Sequence, residues 1–551
     1  MTTNCHQCQN AFTHTPEDQK FYTLFNVPAP KTCPSCRMHR RMMERNVKSL
    51  YYRKCDLTGE QIISQYHSNV PFPVYQTSAW WGDGWDASQY GQDFDFSRPF
   101  FEQLKELQNK VPRVALWIIP TLENSDFTNN TGYLKNCYLI MESDYDEDCY
   151  YSNLLKKSKN LCDCSVCYEA ELCYECIDCQ NCHELRYSQD CKGCQNSWFL
   201  NNCQSCKDCI GCINQRHKQY MIFNQQYSKD EYEKIKAELA LHTRSGVKKV
   251  AEKAKTLFLL HPYKNVSSEK VENCIGDHLY NAKDCYFCFD CKDIEDARYC
   301  TKLSLQVKTC MDYSSWGDKA ELVYQCSSSG DGAYNIKFCT TCTTNVRDLE
   351  YCDLCTSSSD LFGCVGMKKK QYCILNKQYS KDEYFALKAK VIEHMKVTGE
   401  YGEYFPAANC PFAHNETMAQ DFFPLTKEEA LAQGYRWHDE DTTNRYQGTQ
   451  VTVPETSEEV SDDITKHILT CATCGKNYRF IIQELRLYRQ LGVPPPVQCF
   501  DCRHKRRINA RTPFQIWQRD CAKCQQKMYS SYAPNRPEIV YCEQCYQETV
   551  Y

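Results

Sequence analysis

Several absences narrow this sequence. No run approaches the ~18 apolar residues of a membrane span; the longest patch, VALWII before Pro120, suits a buried strand. The opening residues MTTNCHQCQN hold no apolar core of a secretory signal. A cytoplasmic location with reduced thiols is the resulting expectation. Neither charge sign dominates: 65 Lys+Arg against 70 Asp+Glu leave −5, so bulk charge selects no partner and any nucleic-acid surface has to be local. Phosphate-binding loops, G-x-G-x-x-G, HExxH and G-x-S-x-G are all missing, so no small-molecule substrate is identified and a non-enzymatic protein is expected.

What is present is cysteine, 42 in 551 residues. Cys5, Cys8, Cys33 and Cys36 read CxxC, 24 residues, CxxC, and Cys471, Cys474, Cys499 and Cys502 repeat that spacing 466 residues later. The register extends to Tyr22 and Tyr488, Pro28 and Pro494, and Arg37, Arg40 and Arg41 against Arg503, Arg506 and Arg507. Two such pairs fill a tetrahedral S₄ zinc site and leave no open position, so the ion is structural. Cys521, Cys524, Cys542 and Cys545 form a third closed set. Its counterparts at the same offset are Cys55, Thr58, Gln76 and Ala79, a scaffold that has lost three of four ligands. Three zinc ions are expected, and none at Cys55.

The pattern CxxC, Tyr22, a Pro-x-Pro turn and CPSCRMHRR resembles the small "probable zinc-ribbon" domains of bacteria, here in two copies. The wider layout resembles a family of large cysteine-rich proteins of candidate-phyla bacteria, which has no established activity to carry over. Some members carry a CaiB/BaiF label, but no residue here supports CoA transfer.

Between the ends, Cys164, Cys167, Cys173, Cys176, Cys179, Cys182, Cys191, Cys194, Cys203, Cys206, Cys209 and Cys212 differ by multiples of three, and Ser188 and Ser197 fall on the same count. Neither a helix nor an ordinary strand has this period. A narrow solenoid with small side chains stacked inward does. KQYMIFNQQYSKDEY, ending at Tyr232, recurs as KQYCILNKQYSKDEY, ending at Tyr384. Ser228 with Glu231 and Ser380 with Glu383 have capping-box spacing, predicting helices from Lys229 to about Lys255, weakened at Gly246, and from Lys381 to about Lys396. The inward cysteines read as buried small hydrophobes; a metal store or thiol redox buffer is the alternative.

The expected fold is mainly β with α: duplicated zinc-ribbon or treble-clef-like modules flanking two cysteine-rich β-solenoid-like blocks, each closed by a helix. The segments are 1–80, a ribbon module with a degenerate second ribbon; 81–135, an aromatic-rich connection; 136–256 and 257–397, the two blocks with their helices; 398–466, a connection and acidic linker; and 467–551, paired ribbons. Trp80 to Phe101 reads as aromatic packing of ribbon against block, or else as a platform for bases or sugars. His438 to Asp463 reads as a flexible linker. His39 and His504, beside filled metal sites, are expected at the surface.

Arg37, Arg40, Arg41 and Arg45 at one end, and Arg503, Lys505, Arg506 and Arg507 at the other, form local basic clusters. They are the candidate grip for RNA, DNA or a ribonucleoprotein. A protein partner, in an assembly scaffold, is the other reading.

Overall fold

The computed structural model describes residues 2–119, 121–439 and 451–551. The chain forms two compact units, one from Met1–Leu116, Val266–Asp439 and Pro513–Ile516, the other from Trp117–Asn265, Glu440–Thr512 and Trp517–Tyr551. The six expected segments are thus assembled in non-sequential pairs: the N-terminal module shares a unit with the second cysteine block, and the C-terminal modules share one with the first.

The first block is a parallel ladder of four-residue strands. Glu171 pairs with Lys159 on one side and His183 on the other, His183 with Gln195, Gln195 with Lys207, and Lys207 with Gln219, a constant step of 12 residues. The ladder begins before the expected Asn136, since Glu123 already bridges Lys135. The three-residue count has a backbone cause. Every third residue is left-handed, as at Asp163, Val166, Glu169 and Leu172, with φ between 52° and 56°. For side chains other than glycine this costs about 1–2 kcal/mol each, and Asn and Asp, which tolerate it best, recur there.

Ladder hydrogen bonds offset the cost: Asp163 N–H donates to Tyr150 O at 3.1 Å and Glu171 N–H to Cys182 O at 2.9 Å. Side-chain ladders add to them, with Asn124 Nδ2 donating to Asn136 Oδ1 at 3.0 Å and Asn202 to Asn214 at 2.9 Å.

The residue after each left-handed position points inward. Cys164, Cys167, Cys176 and Cys179 are fully buried, as are Leu155, Leu161 and Leu185. Each thiol donates to backbone carbonyls, Cys164 Sγ to Cys162 O at 3.4 Å and to Cys173 O at 3.5 Å. Serine substitutes as expected: Ser188 Oγ donates to Arg186 O at 2.9 Å and accepts from Leu200 N–H at 2.9 Å.

The second block is also a parallel ladder, but its step varies. Ser268 pairs with Leu279, Lys308 with Glu321, Tyr334 with Arg347, and Ser359 with Gln371. These are steps of 11, 13, 13 and 12 residues, so the triplet count slips and the sequence pattern blurs.

Both predicted capping boxes form. Ser228 Oγ accepts from Glu231 N–H at 3.3 Å and Ser380 Oγ from Glu383 N–H at 3.4 Å, with Tyr232 and Tyr384 buried one residue on. The second helix runs Lys381–Val397 as expected. The first does not run through: it is Lys229–Glu238 followed by Arg244–Phe258. Thr243 caps the restart by accepting from Gly246 N–H at 3.0 Å. A Cβ on Gly246 would lie 2.2 Å from Ala240 O, so the sharp break requires glycine there.

One further expectation is corrected. Residues 440–450 of the acidic linker lie outside the described residues, but Val453, Val460 and Ile464 are buried in a cluster with Leu485, Tyr488 and Leu491. That stretch is held by apolar burial and is no free tether. Trp80, Trp85, Phe94, Phe100 and Phe101 are buried, Phe100 against Tyr351 and Phe362 of the second ladder, in line with the packing reading of this stretch, while Trp81 and Phe96 stay exposed. Among the described residues, no helix is long and apolar enough to cross a membrane.

Candidate metal centres

Each tetracysteine set is built by the same short-range geometry. Cys5 and Cys8 sit on the hairpin Thr2–Asn4/Ala11–Thr13, and Cys33 caps the helix Pro34–Met43, whose first turn carries Cys36. Cys471 and Cys474 sit on Leu469–Thr470/Asn477–Tyr478, with Cys499 capping Phe500–Ala510. Cys521 and Cys524 sit on Trp517–Asp520/Lys527–Ser530, with Cys542 capping Glu543–Val550. The hairpin turn is closed by Gln9, Gly475 and Gln525, all left-handed, whose N–H donates to Cys5, Cys471 and Cys521 O at 2.9, 3.0 and 2.9 Å.

The four ligand atoms of every set lie within 4.8 Å of one another. Cys8–Cys33, Cys471–Cys502 and Cys524–Cys542 are 3.8 Å apart and Cys474–Cys499 3.6 Å, sulfur to sulfur. A tetrahedron with metal–sulfur bonds of about 2.3 Å spaces its sulfurs by about 3.8 Å. The donor set therefore fits an S₄ ion such as Zn²⁺. Backbone amides favour the thiolates: Cys33 N–H donates to Cys5 Sγ at 3.2 Å and Cys542 N–H to Cys521 Sγ at 3.3 Å. Burial opposes ionisation of Cys471, yet the N–H groups of Cys499, Cys474 and Thr473 outweigh it and bring the thiol down to about 6.

Cys55 keeps the frame without the ligands. Gly59 N–H donates to Cys55 O at 2.9 Å, and Thr58 and Gln76 N–H donate to Cys55 Sγ at 3.4 and 3.3 Å. The counterpart of the Gln76 contact is the Cys542 N–H bond to Cys521 Sγ, so the amide frame is kept here although three ligands are gone. The ladder cysteines are absent from the groups that could hold a metal among the described residues.

The basic clusters turn out differently from the expected surface grip. Arg37, Arg41, Arg45, Arg503 and Arg507 are buried. In one unit Arg37 Nε and Arg41 Nη1 donate to the two oxygens of Asp312 at 2.7 and 3.0 Å, while Arg41 reaches Ser314 Oγ at 3.0 Å and Tyr299 O at 3.1 Å. In the other, Arg503 and Arg507 hold Asp163 at 3.0 and 2.8 Å, while Arg507 reaches Ser165 Oγ at 3.3 Å and Tyr151 O at 3.0 Å. Each module is locked to the flank of its ladder by a fork of two arginines on one aspartate.

Arg40 donates to Phe405 O and Arg45 Nη1 to Ser328 Oγ at 3.0 Å. Lys505 is exposed, and Arg506, paired with Glu175, keeps half its side chain in water. Sequence reading missed the aspartates because they lie hundreds of residues from the arginines. The signal available was D-x-S, at Asp163–Ser165 and Asp312–Ser314.

His39 and His504 are buried as well, contrary to the surface placement. His39 Nε2 lies 2.9 Å from His414 Nε2, and burial together with that ring and Arg40 pushes His39 down to about 3. His39 stacks on Phe423 at 5.0 Å and meets Tyr435 at 5.1 Å, and His504 lies 5.8 Å from the Phe500 ring.

Residues 1–45 match a family model described as "Probable treble clef domain". No curated protein matches the chain. Among solved structures, one from Desulfovibrio desulfuricans G20, whose name carries an acetyltransferase assignment, is 10% identical and aligns over 48% of this chain and 71% of its own at a TM-score of 0.10. A likeness that slight bears on neither fold nor chemistry. The treble-clef match and the three tetracysteine clusters together support a zinc-binding protein.

Proposed function

We propose that this chain is a non-enzymatic scaffold held together by structural zinc, in a reducing compartment such as the cytoplasm. Its two ladders are read as β-solenoid blocks, and the modules that clamp them as duplicates of one zinc-ribbon design. The observation that carries this reading is the recurrence of one lock, two arginines on a buried aspartate beside a closed S₄ set, at both modules. Closed S₄ sites offer no position for substrate, and arginines spent on the ladder serve architecture. The ladder thiols, buried and donating to carbonyls, are read as core, against a metal store or redox buffer.

Nucleic-acid or ribonucleoprotein binding narrows, in this reading, to Lys505 and Arg506, the exposed remainder of the basic clusters. A protein partner on the long ladder faces is the better supported use of a rigid scaffold. The test is metal content of desalted protein by mass spectrometry with thiols counted in parallel. Three tightly held zinc ions and 30 free thiols are expected. Fewer than three zinc ions would refute the reading, and a large excess of metal would return function to the ladders. RNA binding that weakens steeply with salt and is lost on K505E/R506E would reinstate nucleic acid.

A further inference from the structure

The second module of the N-terminal pair, which has lost its tetracysteine site, lies beside a different cluster of ligating atoms. His67, Glu416 and His438 each offer a ligand atom, all within 4.8 Å of one another. The two imidazoles stack at 4.8 Å, and Tyr51 meets both edge-on at 5.9 and 5.3 Å. Glu416 is 3% exposed. Its oxygens accept from Tyr51 Oη and Ala413 N–H, each at 2.7 Å, and no Lys or Arg among the described residues forms an ion pair with it. A buried carboxylate answered only by neutral donors is costly unless a cation completes it.

From this geometry we propose that His67, Glu416 and His438 bind a first-row divalent cation, Zn²⁺ foremost, as a fourth metal site distinct in chemistry from the S₄ sets. Two imidazole nitrogens and a carboxylate oxygen suit zinc, cobalt or nickel and leave a position for water. Tyr51 and Ala413 fix the carboxylate as an outer shell does at built metal sites. At the offset that aligns the two module pairs, His67 corresponds to Ala533. The pair that keeps its third S₄ site therefore has no imidazole here, whereas the pair that lost it does.

One contact has to yield. Asn69 N–H donates to His67 Nδ1 at 3.1 Å, and a metal on Nε2 requires the ring proton on Nδ1. Ser68 and Asn69 are exposed, so that amide can turn to water. The site ties the module to the segment carrying Glu416 and His438, replacing a short-range cross-link by a long-range one.

The test is a titration with Co²⁺ of protein desalted until it holds three zinc ions and no more, followed by visible absorption and equilibrium dialysis. One added equivalent is expected, with weak d–d bands and no sulfur charge-transfer band, and E416Q and H67A should each weaken uptake more than tenfold. Glutamine keeps the bond from Ala413 N–H on its carbonyl oxygen and can donate its amide to Tyr51 Oη, and alanine is the residue the other module pair already carries, so both variants should stay folded. Absence of a further equivalent, a sulfur charge-transfer band from exchange at the S₄ sites, or unchanged uptake in the variants would each overturn the proposal. Neither a missing equivalent nor unchanged uptake in the variants alters the count of three S₄ zinc ions.

Discussion

Asp312→Asn is the sharpest perturbation of the architecture. The carboxylate is fully buried and receives Arg37 at 2.7 Å and Arg41 at 3.0 Å, with those side chains 2% and 1% exposed. Asparagine keeps the shape but leaves two guanidinium groups in the interior without a counter-charge. Removing one partner of a buried pair typically costs about 3–5 kcal/mol. At about 1.4 kcal/mol per decade, the folded fraction of that unit shifts by roughly two to three and a half powers of ten. Urea unfolding of the full chain, followed by tryptophan fluorescence and by zinc release to a chromogenic chelator, reads the change. Asp163→Asn should behave alike in the other unit, where Asp163 is fully buried between Arg503 and Arg507. The triple variant R37M/R41M/D312L should recover much of the loss, because an apolar replacement removes the charges together. A D312N loss below about 1 kcal/mol would place those arginines in the range of exposed pairs. The buried-lock reasoning would then fail.

Other outcomes follow from single residues. C33S should lower zinc content by one ion per chain, whereas C55S should leave it unchanged and cost under about 1 kcal/mol, since backbone amides and the Thr58 hydroxyl face that sulfur and a serine hydroxyl can take their place. Gly246→Ala should destabilise the helix break by about 1–3 kcal/mol through overlap with Ala240 O, measured by thermal unfolding. Asp146 points into the first ladder with Oδ2 unpartnered, and burial raises its carboxyl to about 8. Its unfolded value is about 3.9. A folded value above the unfolded one means the native state holds the proton longer, so stability falls as pH climbs from about 4 to about 8 and levels off above. D146N should flatten that slope and gain about 1–3 kcal/mol at pH 9, checked by urea unfolding across the range.

Legibility in the sequence followed distance along the chain. The S₄ sets were readable because each ligand pair is closed by one turn and one helix start, and the capping boxes because Ser228 and Glu231 are three residues apart. The inward cysteines of the first ladder were readable because the left-handed residue recurs at a fixed third position. The length of a turn of that ladder was not, since steps of nine, 12 or 15 all preserve the count; pairing of Glu171 with Lys159 decides it. In the second ladder, steps of 13 residues at Lys308–Glu321 and Tyr334–Arg347 erase the rule. The basic clusters misled because charge alone does not reveal a carboxylate 275 residues away. The His67–Glu416–His438 group was hidden for the same reason, its members having no common motif.

The non-sequential pairing of modules with ladders sets an order of events during synthesis. The N-terminal S₄ set is complete within 36 residues and can take its metal as soon as it leaves the ribosome. Asp312, which neutralises Arg37, emerges 275 residues later. At about 5–20 residues per second that is a delay of roughly 15–55 s. For that interval the nascent chain carries a folded module whose arginines have no carboxylate, while the first ladder, made meanwhile, waits still longer for its own clamp. Arg507 follows Asp163 by 344 residues. Each unit is therefore finished only by material translated long after it was begun, and translation rate and zinc supply act jointly on the yield of folded protein.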